Sequence, residues 1–315
     1  MLSAILNRRR CRNNMRIKVL TVSLFAVAAM FSNDVFASNA DSFRVGTFNI
    51  RLDADKSPRD WNSRKKDVIK HIKDKNLDVF GLQEVLPHQA STIDAAFPDY
   101  MKFGDHREAD RKSGEASSIY FATNRFELIR GGTFWLSETP DVPGSMSWKT
   151  AHKRVCSWAY LKDRKTKKEF CFANTHTDHR SALARKEGML LIIRRMSEFA
   201  PTGTPVIFTG DHNCREWAEP AKAVTKILNN AMYVSKKKPV GPWRTYNAWK
   251  WIENDVSIQD ALKLPKTERG ARIDYIYVSK GIRVLDFVTH ADARPGLKEY
   301  HSDHFLMTAT VVLPK

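Results

Sequence analysis

Short apolar segments alternate with longer amphipathic segments along most of the chain. The short segments are rich in β-branched and aromatic residues, which favours strands, and the longer ones repeat their apolar residues at helical spacing. The pattern predicts strands at residues 43–50, 77–83, 117–123, 126–134, 154–161, 169–176, 205–209, 272–278, 282–290 and 304–312. It predicts helices at residues 61–75, 87–96, 182–199 and 217–229. Many strands with few helices between them indicate an α/β domain of mixed sheets, packed sheet on sheet with helices outside.

The composition agrees with one large domain. The chain has 315 residues, of which 42% are hydrophobic, and no repeat or low-complexity tract interrupts residues 43–315. A chain of this kind can bury a sizeable core without dividing into several domains. We therefore expect one domain over residues 38–315.

The first 37 residues differ in kind from the rest of the chain. Basic residues between Arg8 and Lys18 precede an apolar run from Val19 to Phe31, and small or apolar residues lead up to Ala37. This run is shorter than the roughly 20 apolar residues that cross a bilayer. The arrangement is typical of an export signal cleaved after Ala37, with an uncleaved amphipathic anchor as the alternative. We expect a secreted or periplasmic protein.

The basic charge favours a polyanionic partner. The formal net charge is +17, and the first 37 residues contribute +5, so residues 38–315 keep +12. Excess basic charge concentrates anions near the surface and speeds their encounter, whichever anion it is. A solvated basic surface would carry the same charge, and charge alone does not separate nucleic acid from anionic lipid.

Three cysteines follow the signal segment, namely Cys156, Cys171 and Cys214. In an oxidising compartment an odd number leaves one thiol unpaired, or all three buried and reduced. Cys156 and Cys171 fall on strands that flank a turn and could lie near each other, but the register of the strands cannot be read from the sequence. The cysteines support neither a nucleophile nor a metal cluster.

Acids, amides and histidines stand at or just past the ends of several predicted strands. Rigid scaffolds present functional groups at such positions. Each residue also has an ordinary structural explanation, because short polar side chains bond local backbone in turns. The number of such positions is what indicates a site. They are Asn49, Gln83, Glu84, His176, Asp211, His212, Asn213 and Asp274, and Asp303 and His304 precede the last strand.

An ordered series of short motifs resembles the endonuclease/exonuclease/phosphatase superfamily, with its deoxyribonuclease I-like fold, in its bacterial secreted branch. The motifs are Phe48-Asn49-Ile50-Arg51, Leu82-Gln83-Glu84-Val85, Gly114-Glu115, Asn174-Thr175-His176-Thr177-Asp178-His179, Thr209-Gly210-Asp211-His212-Asn213, Arg272-Ile273-Asp274-Tyr275 and Ser302-Asp303-His304. Each motif is weakly specific, whereas their order is strongly so. The resemblance covers residues 43–312 and implies a four-layered α/β/β/α sandwich that hydrolyses phosphate esters at the rim between two sheets.

The same resemblance implies a magnesium site. Glu84 would be the main ligand of Mg²⁺, or of Mn²⁺ as a substitute, with Asn49 beside it and Asp303 near the same ion. Few protein ligands are needed, because Mg²⁺ keeps several waters and takes a substrate phosphate oxygen into its octahedron. No organic cofactor is implied.

Two carboxylate–histidine pairs are also implied. His304 would be oriented by Asp274, and His176 by Glu115. A carboxylate on one ring nitrogen fixes the tautomer and favours imidazolium, which can donate to a phosphate oxygen or to the leaving group.

The remaining implied roles concern the water and the substrate. Asp211 would orient and deprotonate the attacking water, and Asn213 would hold the phosphate, so no covalent intermediate is needed. Further substrate contacts would come from Asn49, Arg51, Asp178 and Arg185. The chain departs from the family at His212, where an aromatic residue is usual. Because side chains alternate along an extended segment, we expect His212 to point into packing rather than into the site.

The segment from Trp243 to Trp251 combines aromatic and basic residues. It could stack nucleic-acid bases, lie at a membrane interface or bury its tryptophans in the core, and we favour burial for at least part of it.

Our first hypothesis for the chain is a monomeric phosphoesterase, with a nuclease or nucleotide-directed activity first. The alternatives are a phospholipid or inositol-phosphate hydrolase similar to sphingomyelinases, and an inactive secreted binding protein on the same fold.

Overall fold

The computed structural model describes residues 41–315. The export signal predicted for residues 1–37 lies outside these residues and stays a prediction. Among the described residues, no helix combines the length and the apolar character that crossing a bilayer requires.

Two mixed sheets of six strands each form the centre of the fold. The strands are β1 (Phe43–Asn49), β2 (Val79–Val85), β3 (Tyr100–Phe103), β4 (Ala116–Ala122), β5 (Phe126–Trp135), β6 (Val155–Asp163), β7 (Glu169–His176), β8 (Val206–Asp211), β9 (Leu228–Asn230), β10 (Asp274–Ser279), β11 (Arg283–His290) and β12 (Leu306–Val312). The first sheet has the order β11-β12-β1-β2-β4-β3, and the second has the order β5-β6-β7-β8-β10-β9. One central pair in each sheet is parallel, β1 with β2 and β7 with β8.

The alternation of side chains along the strands divides the core into layers. On β1, Phe43 and Val45 face the second sheet, whereas Phe48 faces the helices. On β7, Phe170 and Phe172 point into the same layer between the sheets. Because both faces of the central strands are covered, β2, β4 and β8 are buried along their whole length. The result is the predicted four-layered α/β/β/α sandwich.

Helices cover the outer faces of the sheets. They are α1 (Trp61–Lys73), α2 (Pro87–Ala96), α3 (Ala182–Phe199) and α4 (Glu219–Thr225). The short helix α5 (Ile258–Ala261) instead packs Ile258 and Ala261 against the core between the sheets. The side chain of Asp60 caps α1 by accepting from Ser63 N at 3.1 Å, and that of Ser181 caps α3 by accepting from Ala184 N at 3.1 Å. Each cap satisfies an amide group that has no partner within the first helical turn. Helices α1 and α2 pack on the first sheet, and α3 packs on the second.

The hydrophobic pattern located most of these elements. Each predicted strand overlaps an observed one, and three of the four predicted helices begin at the predicted residue. The helix predicted for residues 217–229 is wrong at its end, because α4 stops at Thr225 and Leu228–Asn230 pair with β10 as β9. The pattern also misses β3, a four-residue strand at the sheet edge that is not fully buried at any position.

All three cysteines among the described residues are buried and free. In the ladder of β6 and β7, Cys156 lies opposite Thr175 and Cys171 lies opposite Tyr160, so the two cysteines are offset by four positions. Four residues of strand span about 13 Å, which exceeds the reach of a disulfide. Burial raises the pKa of both thiols, so they are inert core residues.

The strand directions bring the same ends of both sheets to one edge. Strands β1, β2, β7 and β8 end there, and the antiparallel strands β4, β6, β10 and β12 begin there. In these ladders Asp211 lies opposite His176 on one side and opposite Asp274 on the other. Polar residues at the ends of some strands therefore meet polar residues at the beginnings of their neighbours.

Gly210 allows β7 and β8 to approach closely at this edge. Its φ is +147°, and a β-carbon at this position would lie 2.1 Å from the carbonyl oxygen of Thr175. That oxygen belongs to the backbone of a central strand and cannot move aside. Gly203 differs from Gly210 in its surroundings. Its φ is also positive, at +90°, but a β-carbon there would meet nothing within 4 Å.

We expect Gly210→Ala to lower the free energy of unfolding by at least about 3 kcal/mol, because backbone strain and a steric clash act together. Gly203→Ala is the matched control, since it adds the strain without the clash, and should cost only about 1–2 kcal/mol. Urea denaturation of the two variants measures the difference. Equal losses in both would show that the close approach to Thr175 is unimportant.

His212 packs within an aromatic layer and does not face the predicted site. Its ring centroid lies 4.9 Å from that of Phe208, 5.3 Å from that of Tyr275 and 5.6 Å from that of Tyr277. The side chain is fully buried, and neither ring nitrogen has a hydrogen-bond partner among residues 41–315. The prediction that His212 points into packing is confirmed.

We expect His212→Phe to stabilise the protein, and most strongly in acid. Burial lowers the pKa of His212 from 6.5 to about 3, so between these values the unfolded chain binds a proton here that the folded chain does not. The folded state therefore loses up to about 1.4 kcal/mol per pH unit as the pH falls below 6.5, and phenylalanine removes this loss. Urea denaturation of both proteins at pH 7.5 and pH 5 measures the gain. A gain that is no larger at pH 5 would contradict the prediction.

Candidate active site

Glu84 lies at the end of β2 in a left-handed backbone conformation. Its φ is 63°, and the ladder of β2 and β4 is irregular between Leu82 and Val85. Such a φ is costly for a residue with a β-carbon, and this kind of strain clusters at functional sites. The irregularity directs the carboxylate toward two donors, Asn49 Nδ2 at 3.0 Å and Leu52 N at 2.9 Å.

Asn49 joins the two sheets at their common edge. Its Nδ2 donates to Glu84 Oε1 at 3.0 Å and to Asp211 Oδ2 at 3.1 Å. Its Oδ1 accepts from Arg51 N at 3.0 Å. The amide nitrogen therefore faces the acids while the amide oxygen is engaged elsewhere. Asn49 therefore orients the two carboxylates, and its role as a metal ligand stays a prediction.

Glu84 and Asp303 converge on one cationic group. Nη1 of Arg51 lies 3.9 Å from Glu84 Oε2 and 3.9 Å from Asp303 Oδ2, and the guanidinium is anchored by Asp55 at 2.8 Å and 3.2 Å. Burial would raise the pKa of Glu84, but the hydrogen bonds to its carboxylate outweigh burial and lower the pKa. Two carboxylates directed at one positive group fit a hard divalent cation.

Asp211, Asp274 and His304 form a second group whose ligating atoms lie within 4.8 Å of one another. Within this group, His304 Nδ1 already lies 2.9 Å and 3.1 Å from the two carboxylate oxygens of Asp274. The imidazole would have to lose this partner to bind a metal through the same nitrogen. The pair Glu84 and Asp303 is therefore the better candidate for a cation.

His304 lies between two carboxylates. Its Nδ1 bonds to Asp274, and its Nε2 lies 3.6 Å from Asp211 Oδ2. Burial alone would lower the pKa of His304, but the charges of Asp274 and Asp211 outweigh burial and raise the pKa well above its ordinary value. The pair of His304 and Asp274 that the resemblance implied is present.

His176 is held by an arginine rather than by the expected carboxylate. Nη1 of Arg154 lies 2.9 Å from His176 Nδ1, whereas Oε2 of Glu115 is 3.9 Å from the same nitrogen, too far for a hydrogen bond. His176 and Glu115 therefore lie at ion-pair distance, but Glu115 does not orient the ring through a hydrogen bond as predicted. Glu115 is instead occupied by two guanidinium groups, at 2.7 Å from Arg107 Nη1 and 3.4 Å from Arg154 Nη1. Burial and the charge of Arg154 lower the pKa of His176, so this imidazole is neutral.

Asp211 lies at the centre of these groups. Its Oδ2 is 3.4 Å from His176 Nε2 and 3.6 Å from His304 Nε2, and its Oδ1 accepts from Asn213 N at 2.9 Å. Burial and the charge of Asp274 raise the pKa of Asp211, although His304 opposes the shift. A buried carboxylate with a raised pKa is suited to accept a proton from water near neutral pH.

Asn213 borders the same space. It has a left-handed φ of 44°, and its Nδ2 lies 2.9 Å from His176 Nε2 while donating to the carbonyl oxygen of Thr177 at 3.0 Å. The amide thus lies beside the ring edge of His176, where an anionic substrate group could also accept a hydrogen bond from it.

Asp178 and Arg185 make structural contacts in a loop beside the site, and the predicted contact of each with substrate stays a prediction. The carboxylate of Asp178 accepts from Ala151 N at 2.9 Å, Ser181 N at 2.6 Å and Thr150 Oγ1 at 3.0 Å. Arg185 donates to the carbonyl oxygen of Asp178 at 3.0 Å. Both side chains are used in shaping the loop between β7 and α3, and this loop carries His179 beside Arg154 rather than presenting Asp178 to the site.

The tryptophans of the segment from Trp243 to Trp251 are largely used in internal packing. Trp243 is buried, Trp249 packs under Arg59 with the guanidinium carbon 5.2 Å from the ring centroid, and Trp251 stacks on Tyr300 at 5.0 Å. The burial interpretation of this segment is therefore correct for its tryptophans. Base stacking on them is not supported.

Sequence reasoning missed two residues of the site, Arg154 and Tyr246. Arg154 immediately precedes β6, as Glu115 precedes β4, and both of these strands begin at the edge where the site lies. The position of Arg154 directly before a strand was the sequence signal that could have identified it as a site residue. Tyr246 is 37% exposed and its ring centroid lies 5.0 Å from that of His304, a contact that depends on the path of a long loop and leaves no local sequence signal.

Comparisons with known proteins agree with this geometry. The model of the Endonuclease/Exonuclease/phosphatase family matches residues 46–304. No curated protein matches the chain significantly.

Similar solved structures span most of the chain. An endonuclease/exonuclease/phosphatase from Bacteroides vulgatus is 30% identical with a TM-score of 0.76, over 86% of this chain and 99% of that chain. A mannosyl-6-phosphatase from Bacteroides thetaiotaomicron is 28% identical with a TM-score of 0.76, over 86% of this chain and 100% of that chain. The catalytic domain of human Nocturnin, with bound sulfate, shares the fold at 19% identity and a TM-score of 0.65, over 86% of this chain and 93% of that chain. The chain belongs to the endonuclease/exonuclease/phosphatase family.

Proposed function

We propose that the protein is an exported, divalent-metal-dependent phosphoesterase in which water activated by Asp211 attacks a phosphate ester. The position of Asp211 carries the proposal. Its Oδ2 lies 3.4 Å from Nε2 of His176 and 3.6 Å from Nε2 of His304. Family membership supports the reaction class, and the sequence pattern of residues 1–37 supports export.

The proposed reaction needs two proton transfers, one from the attacking water and one to the leaving group. Asp211 accepts a proton from the attacking water, because burial and Asp274 raise its pKa. His304, held by Asp274, donates to the leaving-group oxygen or to a phosphoryl oxygen. The amide of Asn213, whose Nδ2 lies 2.9 Å from His176 Nε2, presents an N–H group to the negative charge that develops on the phosphoryl group, and a donor fixed in advance stabilises such charge strongly.

Glu84 and Asp303 are the residues that would hold the cation. Their carboxylates are oxygen ligands, and their convergence on Arg51, at 3.9 Å each, supports a cation between them. Mg²⁺ suits such a site because it needs few protein ligands and keeps waters for the rest of its shell, and Mn²⁺ would be its substitute. A bound divalent cation would supply charge neutralisation at a phosphoryl oxygen.

The charge of the chain supports an anionic substrate but does not choose among phosphate esters. Residues 38–315 carry a formal charge of +12, which would speed the approach of nucleic acid, nucleotide, lipid headgroup or sugar phosphate alike. The nuclease hypothesis loses support from the aromatic segment, because the tryptophans there are packed internally.

A phosphomonoesterase acting on a phosphorylated sugar is the second candidate. It is favoured by the likeness to the mannosyl-6-phosphatase, which extends over 86% of this chain. A substrate panel decides between the candidates, with sugar phosphates, nucleotides, DNA, RNA, sphingomyelin and inositol phosphates tested in the presence of Mg²⁺, of Mn²⁺ or of a chelator. Hydrolysis of none of them would contradict the proposed function.

We expect Asp211→Asn and His304→Ala each to lower turnover by at least about 10²-fold, since each removes a proton-transfer or charge-stabilising group. Asp141→Asn is the matched control, because Asp141 is an exposed acid that pairs with Arg195, and its turnover should equal that of the wild type. Steady-state kinetics on the best substrate of the panel measures the effect. Turnover near the wild-type value in both site variants would reject the assignment.

We expect Glu84→Gln to weaken the binding of Mn²⁺ by at least about 10-fold, because it replaces an anionic ligand with a neutral one. Isothermal titration calorimetry measures this affinity without reference to activity. Glu127→Gln is the control, because Glu127 lies on β5 and pairs with Arg164 at the surface. Unchanged affinity in Glu84→Gln would place the cation elsewhere, and the group of Asp211, Asp274 and His304 would then be tested next.

A further inference from the structure

Tyr246 differs from the other aromatic residues of the segment from Trp243 to Trp251. The three tryptophans of this segment are buried or packed against neighbouring side chains. Tyr246 is 37% exposed, although the residues on either side of it in the chain, Thr245 and Asn247, are buried. The segment therefore presents one aromatic side chain at the surface, on a backbone that is otherwise covered.

The backbone on both sides of Tyr246 is tied to the segment that contains Asp303. The N–H of Phe305 donates to the carbonyl oxygen of Thr245 at 2.7 Å, and the N–H of Asn247 donates to the carbonyl oxygen of Asp303 at 2.7 Å. Hydrogen bonds before and after a residue leave its backbone little freedom. The position of Tyr246 is therefore fixed relative to the candidate cation ligand Asp303.

The ring of Tyr246 lies against the imidazole of His304. The two ring centroids are 5.0 Å apart with an interplanar angle of 55°, and the backbones of the two residues form an antiparallel bridge. Nε2 of the same imidazole lies 3.6 Å from Asp211 Oδ2. One imidazole thus contacts Tyr246 and also approaches the carboxylate that we propose activates water. The exposed part of the tyrosine ring borders the space where a phosphate ester would bind.

An exposed aromatic ring beside charged groups suits a ligand that has both a phosphate and a ring. Binding sites for small molecules combine a few polar groups that orient the ligand with aromatic or apolar surface that covers the rest of it. The acids, amides and histidines around Asp211 supply the polar groups. Aromatic side chains pack well on flat partners. A single exposed ring fits one ring of a ligand, from a sugar or a base, rather than a run of stacked bases.

We propose that Tyr246 is a specificity-determining residue whose ring packs against a ring in the organic group of a phosphate ester, so that the site prefers sugar or nucleoside phosphates to acyclic ones. The inference rests on the proposed function for the place where the phosphate binds. The contact itself requires binding and no turnover.

Isothermal titration calorimetry measures this preference. The probes are mannose 6-phosphate, ribose 5-phosphate, AMP and the acyclic glycerol 3-phosphate, with Mn²⁺ present and Asp211→Asn in every protein to prevent hydrolysis. We expect the tightest ring-bearing probe to bind at least about 10-fold more tightly than glycerol 3-phosphate, as for one stacked ring. AMP binding more tightly than both sugar phosphates assigns the contact to the base, and the opposite order assigns it to the sugar. Equal affinity for all four probes would overturn the proposal.

Variants of Tyr246 in the same background connect the preference to its ring. Tyr246→Ala and Tyr246→Leu should each weaken the binding of the tightest ring-bearing probe by at least about 10-fold and that of glycerol 3-phosphate by less than about 3-fold, because both remove the aromatic face. The leucine variant keeps apolar bulk against His304, which guards against a loss of folding. Tyr246→Phe keeps the ring and should bind every probe within about 3-fold of its parent.

Tyr233→Ala is the matched control. Tyr233 is also an exposed tyrosine, at 51%, and its hydroxyl donates to Glu216 Oε2 at 2.6 Å rather than bordering the site. Its substitution should leave all four affinities unchanged. A loss in Tyr233→Ala equal to that in Tyr246→Ala would overturn the assignment of specificity to Tyr246.

The remaining outcomes separate the two proposals. Equal weakening of all four probes in Tyr246→Leu, or a loss in Tyr246→Phe as large as that in Tyr246→Ala, would overturn the ring contact. The expected selective loss, combined with no hydrolysis of any phosphate ester by the unsubstituted protein, would uphold the contact and overturn the proposed function. Hydrolysis without the selective loss would do the reverse.

Discussion

The site depends on the face-to-face contact of two sheets at the edge where their central parallel strands end. Asn49 bridges that contact by donating to Glu84 from its own sheet at 3.0 Å and to Asp211 from the other at 3.1 Å. Behind it, Gln83 donates across the interface to Asn174 Oδ1 at 2.7 Å. Polar groups buried between two sheets are costly unless paired, so these bonds allow few relative positions of the sheets.

Buried charge is tolerated at this edge because each charged group has a specific partner. His304 lies between carboxylates, and Glu115 lies between two guanidinium groups. Such pairs contribute little net stability after desolvation, yet they fix hydrogen-bond donors and acceptors before a substrate arrives. The same partners shift the two histidines in opposite directions: the charges of Asp274 and Asp211 outweigh burial and raise the pKa of His304, whereas burial and the charge of Arg154 lower the pKa of His176.

The sequence was sufficient to predict the fold class, because the spacing of apolar residues reflects which faces of each strand and helix are buried. It was also sufficient for the set of strand-end residues that converge. Asp211, His304 and Asp274 lie within hydrogen-bonding or near-contact distance, and His212 turns away into the aromatic layer as the alternation of side chains requires. The local hydrophobic pattern predicted a helix at Leu228–Asn230, but these residues form β9 because they pair with β10. The helical propensity of one segment gives no information about pairing with a distant strand.

Only the tertiary structure decided which hydrogen-bond partner each side chain of the site has. The sequence determined that Glu115 and His176 stand at the same edge, but the guanidinium of Arg154 lies between them and takes the hydrogen bond. It likewise placed Asp178 near the site, but the backbone amides of its own loop occupy the carboxylate. Position along a strand follows from periodicity within one segment, whereas the choice of a hydrogen-bond partner is settled by distances of a few tenths of an ångström between segments far apart in the chain.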